Sequence, residues 1–289
     1  MSIEITIKQK LFSRKPMPLE TILGDQLAYG FWENDQLSVG KLGDTEFIAY
    51  DPEAIGRGFS VIWNPQEKKS ISLRLPSPST AQEIRALFDC VDRMVNYWGG
   101  SLIVDGTHLK PQAFLSSYDD FVSFNGMFLN HVCTQVLEGE HEKITLYSAK
   151  WALSIGREEA ERFMKTPNEF TSWLHEKQAM DVFYCNPRFF MGDDGVFGQY
   201  MLMNDLPTVF PLKPTVPFGT TDPNTGKPLE CEKWTVLLVL EHDKEFMKEL
   251  DYQVFLDWIP AERKIRYDGS HFLIEGFTRH DILELANAI

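Results

Sequence analysis

GFSVIWNPQEKKSISLRLPSPSTAQEIRALFDCVDRMVNYWGGSLIVDG, residues 58–106, decides the fold class. Phe59 to Trp63 and Ile71 to Leu75 flank the polar bend Asn64 to Lys69. Ile71, Leu73 and Leu75 alternate with Ser72 and Arg74, the period of a half-buried strand, so the pair predicts a hairpin. Pro76-Ser77-Pro78-Ser79 stops the second strand. Thr80 and Glu83 then have capping-box spacing, and Ile84, Leu87, Phe88, Val91, Met94, Val95 and Trp98 recur at three and four residues until Gly99-Gly100. That pattern predicts an amphipathic helix, with Cys90 on its Gln82 and Arg93 side. Leu102 to Val104 and the turn Asp105-Gly106 add a short strand. Strand, strand, helix, strand predicts an α+β fold of mainly antiparallel sheets with amphipathic helices packed on them.

Outward from this unit, Ile3, Ile5 and Ile7 alternate on an opening strand, Pro18 to Leu23 predicts a short helix, and Gln26 to Trp32 and Phe47 to Tyr50 predict strands. Gly56-Arg57-Gly58 has neither GxGxxG nor Walker spacing and reads as a flexible lead into the hairpin. Phe114 to Leu137 predicts one or two helices around a break at Asn125-Gly126. Ile144 to Leu153 predicts a strand, Gly156 to Met164 and Asn168 to Lys177 predict helices, and Asp181 to Cys185 resumes strand character. Residues 1–289 thus read as one α+β unit with a lobe boundary near 140–150. A short echo between Leu102-Ile103-Val104-Asp105-Gly106 and Leu273-Ile274-Glu275-Gly276 raises the expectation of two similar lobes.

Residues 186–231 differ in composition, with Pro187, Pro207, Pro211, Pro214, Pro217, Pro223 and Pro228 among aromatic residues. Proline at this density disfavours central strands and long helices, while the rings argue against disorder, so the stretch reads as a long ordered excursion. Long ordered loops often carry function, and Phe189, Phe190, Phe197, Tyr200, Phe210 and Phe218 are the candidate binding residues. Gly192-Asp193-Asp194-Gly195 lacks calcium-loop periodicity and reads as a tight turn. Beyond it, Trp234 to Leu240 predicts a strand buried on both faces, Phe246 to Leu250 a helix, Tyr252 to Ile259 a strand, Lys264 to Ile274 a hairpin about Asp268-Gly269, and Asp281 to Ile289 a terminal helix.

The 42 acidic and 28 basic residues give a net charge of −14, which repels phosphate backbones and anionic lipid, so nucleic acid and membrane are excluded as partners. The basic residues Lys8, Lys10, Arg14 and Lys15 form too short a strip to reverse this. Cys90, Cys133, Cys185 and Cys231 form no CxxC pair and read as buried reduced thiols, and His131 and Cys133 are two apart and so on opposite helix sides. No metal or cofactor site is expected. His175-Glu176 lacks the second histidine of HExxH because Ala179 holds its place. No secretory or membrane-spanning run is present, which places the expected compartment in the cytoplasm.

At Gly56-Arg57-Gly58-Phe59, at Leu73 to Thr80 with Glu83-Ile84, and at Phe210-Pro211-Leu212-Lys213-Pro214 leading to Trp234, the chain resembles a bacterial family of low-GC Gram-positive organisms described as a domain of unknown function. The resemblance implies a bacterial cytosolic protein and transfers no catalytic residue. The sequence therefore favours a non-catalytic interaction or adaptor protein with a protein partner, one version being an acidic, immunity-type protein that neutralises a basic effector. The alternative is a small-molecule-binding protein or a hydrolase built on a histidine and carboxylate among His108, His242, His271 and His280.

Overall fold

The computed structural model describes residues 1–10, 15–33, 36–43, 45–64, 69–192, 195–217 and 219–287. The chain forms two units, Met1–Met180 and Asp181–Ile289.

The first unit comprises β1 (Ser2–Lys8), α1 (Leu19–Leu23), β2 (Ala28–Glu33), β3 (Gln36–Val39), β4 (Glu46–Tyr50), β5 (Phe59–Ile62), β6 (Ser70–Pro76), α2 (Ala81–Trp98), β7 (Ser101–Val104), β8 (Thr107–Leu109), α3 (Pro111–Leu115), α4 (Tyr118–Leu137), β9 (Ile144–Leu146), β10 (Leu153–Ile155), α5 (Arg157–Lys165) and α6 (Glu169–Ala179). Strands β1 to β8 form one antiparallel sheet in the order β3-β2-β4-β5-β6-β1-β7-β8. Ile3, Ile5 and Ile7 lie opposite Leu75, Leu73 and Ile71, all buried against the apolar stripe of α2. The capping box is formed: Thr80 Oγ1 accepts from the Glu83 amide at 3.2 Å and Glu83 Oε2 accepts from the Thr80 amide at 2.8 Å. The bend residues 65–68 and Arg14 lie outside the described residues.

Three expectations for this unit are corrected. Gly56-Arg57-Gly58 is a buried, tightly bonded segment because the Glu83 carboxylate gathers its amides. Cys90 is fully buried, as expected of a reduced core thiol, because α1 covers that side of α2, with Arg93 Nη2 donating to the Ile22 carbonyl at 2.8 Å. Helix α4 runs unbroken through Asn125-Gly126. Asn125 is buried there, donating to the Phe121 carbonyl and accepting from the Ser79 amide, both at 2.9 Å. The expected strand Ile144 to Leu153 is two short paired strands, β9 and β10. The first unit runs to Met180, with α5 packed on α4 and β10.

The second unit comprises β11 (Phe183–Tyr184), β12 (Arg188–Gly192), β13 (Gly195–Met203), β14 (Thr208–Pro211), β15 (Lys233–Leu240), β16 (Asp243–Asp251), α7 (Tyr252–Trp258), a 3₁₀ turn at Ala261–Arg263, β17 (Ile265–Arg266), β18 (His271–Ile274) and α8 (Arg279–Asn287). It has two four-stranded sheets, β11-β14-β18-β17 and β12-β13-β15-β16, with β11–β14 and β13–β15 parallel. The two units therefore have different strand orders.

Here the expected helix at Phe246 to Leu250 is strand β16, and the expected strand at Tyr252 to Ile259 begins as helix α7. The switch lies at Asp251, whose Oδ1 caps α7 by accepting from the amides of Gln253 at 2.8 Å and Val254 at 3.3 Å. The proline-rich region also holds an internal strand, β13, because residues 188–206 between Pro187 and Pro207 contain no proline.

Candidate interaction face

The sheet β12-β13-β15-β16 has two apolar sides. Along β13, Tyr200 and Leu202 point inward with Val236, Leu238 and Leu240 of β15 and Leu250 of β16, packing with α7 and α8 in one core. The intervening residues stand on the other side. Met201 is opposite Leu237 and Met203 opposite Val239 across the parallel pair, and Val239 is opposite Met247. The first four are half-buried and Met247 is 66% exposed. The expectation that Trp234 to Leu240 is buried on both faces is thus corrected: α7 and α8 cover one face.

Among the described residues, strand β12 is the outermost strand of this sheet, next to β13 alone. Phe190 lies opposite Phe197, and their rings stack with centroids 5.2 Å apart and planes at 19°. Phe190 is 41% and Met191 56% exposed. Arg188 is exposed at the start of the strand, opposite Gln199. Gln199 Nε2 donates to Glu249 Oε2 and to Thr235 Oγ1, forming a polar row across the sheet.

Of the six candidate aromatic residues, the structure brings Phe190 and Phe197 together at this exposed edge. Phe189 turns inward and meets Trp234 edge-on at 5.9 Å. Tyr200 and Phe210 are core residues, at 2% and 0% exposure, the former stacked on Trp234 and the latter on Phe272. Their assignment to a binding surface is corrected, since alternation along β13 turns Tyr200 inward and all four residues of β14, Phe210 among them, are buried. Phe218, Asp193 and Asp194 lie outside the described residues. Sequence reasoning missed Met201, Met203, Leu237, Val239 and Met247; apolar residues at consecutive positions of 200–203 and 236–240 were the available signal of a second apolar face.

Two other polar constellations bear on chemistry. His271 Nδ1 lies 2.8 Å from Asp268 Oδ1, and its Nε2 lies 3.0 Å from the Tyr184 hydroxyl. Asp268 Oδ1 also accepts from the Ser270 amide at 2.8 Å and the His271 amide at 2.9 Å, so this carboxylate shapes the turn between β17 and β18. Burial pushes the Tyr184 phenol well above its ordinary value, and the Asp268 charge adds to that. The phenol therefore stays protonated, and its hydroxyl occupies the nitrogen a general base would use. His242 and His280 are exposed elsewhere, each beside a glutamate.

In the first unit, a cleft of about 370 Å³ is lined by Gln26, Leu27, Asp51, Gln82, Arg85 and Tyr118 among others, with no histidine. Arg85 lies over the Tyr118 ring at 3.6 Å. Among the described residues no group of three histidine, cysteine or acidic side chains could hold a metal ion, and no helix is long and apolar enough to cross a membrane.

A family profile described as a domain of unknown function matches residues 2–285. The chain belongs to the DUF4299 family. No curated protein and no solved structure is significantly similar to this DUF4299 chain.

Proposed function

We propose that this DUF4299 protein is a cytoplasmic, non-catalytic interaction protein that takes up an extended basic segment of a partner protein by strand addition at β12. One observation carries the reading: the outermost strand of a four-stranded sheet presents the stacked Phe190–Phe197 pair and exposed Met191. A strand edge offers backbone amides and carbonyls to an incoming segment, and its exposed side chains give that segment pockets to fill. The net charge of −14 accelerates encounter with a basic partner and disfavours nucleic acid. An immunity-type role, in which the bound segment belongs to a basic effector, is the version that uses both features.

The hydrolase alternative rests on the Asp268–His271 contact. It is the weaker reading because Tyr184 takes the Nε2 position and Asp268 serves the turn.

The test presents the immobilised full chain and its Phe190→Ser/Met191→Ser variant to a random peptide library. Basic peptides with alternating apolar residues are expected to bind the parent and to bind the variant at least about tenfold more weakly, as for loss of central apolar anchors. Equal binding of the same peptides by both proteins overturns the assignment.

A further inference from the structure

The outward face behind β12 calls for a different occupant, because its pattern matches itself. We infer that two copies of the chain associate face to face through β13 and β15, about a two-fold axis parallel to the strands and midway between them. Such a rotation lays β13 of one copy on β15 of the other and β12 on β16.

The register fixes what meets what. Met201 and Leu237 are opposite within one sheet, so the rotation sets Met201 against Leu237 of the second copy, and Met203 against Val239 in the same way. The central rows are thus apolar on apolar. In the next row Thr235 is buried beneath its own Gln199, so Gln199 is the group that row presents. At the rim of that row stand Arg188 on β12 and Asp251 on β16, paired in register with Gln199 and Thr235 respectively, so Arg188 of one copy faces Asp251 of the other. Phe197, opposite Lys233 in one sheet, meets Lys233 of the second copy, as a ring meets a cation. Every pairing occurs twice, as an isologous interface requires.

The rim charges have capacity for this. Among the described residues Arg188 has no ion-pair partner, and Asp251 uses Oδ1 alone to cap α7, leaving Oδ2. Sheets packing face to face with a small rotation between strand directions keep these central rows in contact. Met201, Met203 and Met247 supply adaptable side chains where two such faces must interlock. The arrangement leaves the hydrogen-bonding edge of β12 in the plane of the sheet, while Phe197 takes part in both contacts. A dimer would carry two such edges and bind a bivalent partner with added avidity.

Sedimentation velocity of the full chain at physiological salt tests this. At about 50 µM, a mid-range concentration for specific association, a species of twice the 33.3 kDa chain mass is expected. Leu237→Lys is expected to sediment as a monomer. Arg188→Glu, at an exposed position that leaves folding intact even if Leu237→Lys does not, is expected to weaken self-association at least about tenfold through like-charge contact with Asp251. A monomeric parent overturns the inference, as does a dimer that both variants leave unchanged. Peptide binding measured on the same variants distinguishes the two proposals, because loss of self-association with retained binding leaves strand addition standing.

Discussion

The Gly58 amide donates to Glu83 Oε1 at 2.8 Å, tying the first residue before β5 to the first turn of α2 across 25 residues of sequence. The same carboxylate accepts from the Arg57 amide and, through Oε2, from the Thr80 amide at 2.8 Å. Arg57 is itself buried, with Nε donating to the Tyr147 carbonyl at 2.9 Å and Nη1 to the Pro78 carbonyl at 3.0 Å. Gly58 has φ +67, and a Cβ there would stand 2.8 Å from the Ala49 carbonyl oxygen. One buried acid therefore fixes a helix start, a strand start and an arginine.

Removing that acid is expected to cost more than the loss of one cap. In Glu83→Ala three backbone amides lose their acceptor and the Arg57 charge stays buried. Each buried donor left without an acceptor costs about 1–3 kcal/mol, so a loss of about 3–5 kcal/mol is expected. Urea unfolding measures it, and a shift below about 1 kcal/mol, the ordinary value of a helix cap, would show that the site is only a cap.

The same residue gives a pH signature. Burial raises the Glu83 carboxyl above its ordinary value of 4.5, against the opposing pull of the amides and of Arg57. The native chain therefore holds this proton at a pH where the unfolded chain has released it. Its contribution is present in full below 4.5 and is lost as pH rises through the native value. Arg57, lowered to about 10 by burial, stays charged throughout this window. The unfolding free energy of the parent minus that of Glu83→Gln is expected to fall as pH rises from 4.5. A difference that is flat or rising with pH refutes the linkage.

Sequence patterning revealed the helix α2 and its cap because both depend on residues three and four apart. It did not reveal that Gly56-Arg57-Gly58 is rigid, because its partner Glu83 comes from another element. The exchange of strand and helix on either side of Asp251 has a similar origin: Phe246 to Leu250 and Tyr252 to Ile259 fit either period, and pairing with β15 decides. At the candidate face the limit is symmetry. Both sides of β13 and β15 are apolar, so alternation located the strands without saying that Tyr200 faces the core and Met201 faces out.

The stripe of α2 offers a direct check on the first core. Leu87 and Trp98 are at 0% and 4% exposure, within the cluster that includes Ile5, Leu73 and Phe114. Leu87→Ala and Trp98→Ala are each expected to destabilise by about 2–5 kcal/mol, the sum of lost transfer free energy and the cavity left behind. Trp98 also donates from Nε1 to the Lys15 carbonyl at 2.9 Å, so its replacement additionally frees the segment before α1. Melting curves unchanged in both variants would place the stripe outside the core.

Phe190 and Phe210 separate recognition from stability most sharply, because the sequence gives them the same standing and the structure gives them opposite ones. Phe210 is fully enclosed by Tyr200, Phe255 and Phe272, so Phe210→Ala leaves a cavity and is expected to destabilise by about 3–5 kcal/mol. Phe190 is 41% exposed and touches mainly Phe197, so Phe190→Ala is expected to change stability by about 0.5–1.5 kcal/mol, the loss of one aromatic pair. Peptide capture is expected to fall in Phe190→Ala while its melting temperature stays near that of the parent. A variant that melts as early as Phe210→Ala would make Phe190 a structural residue and remove the anchor on which strand addition rests.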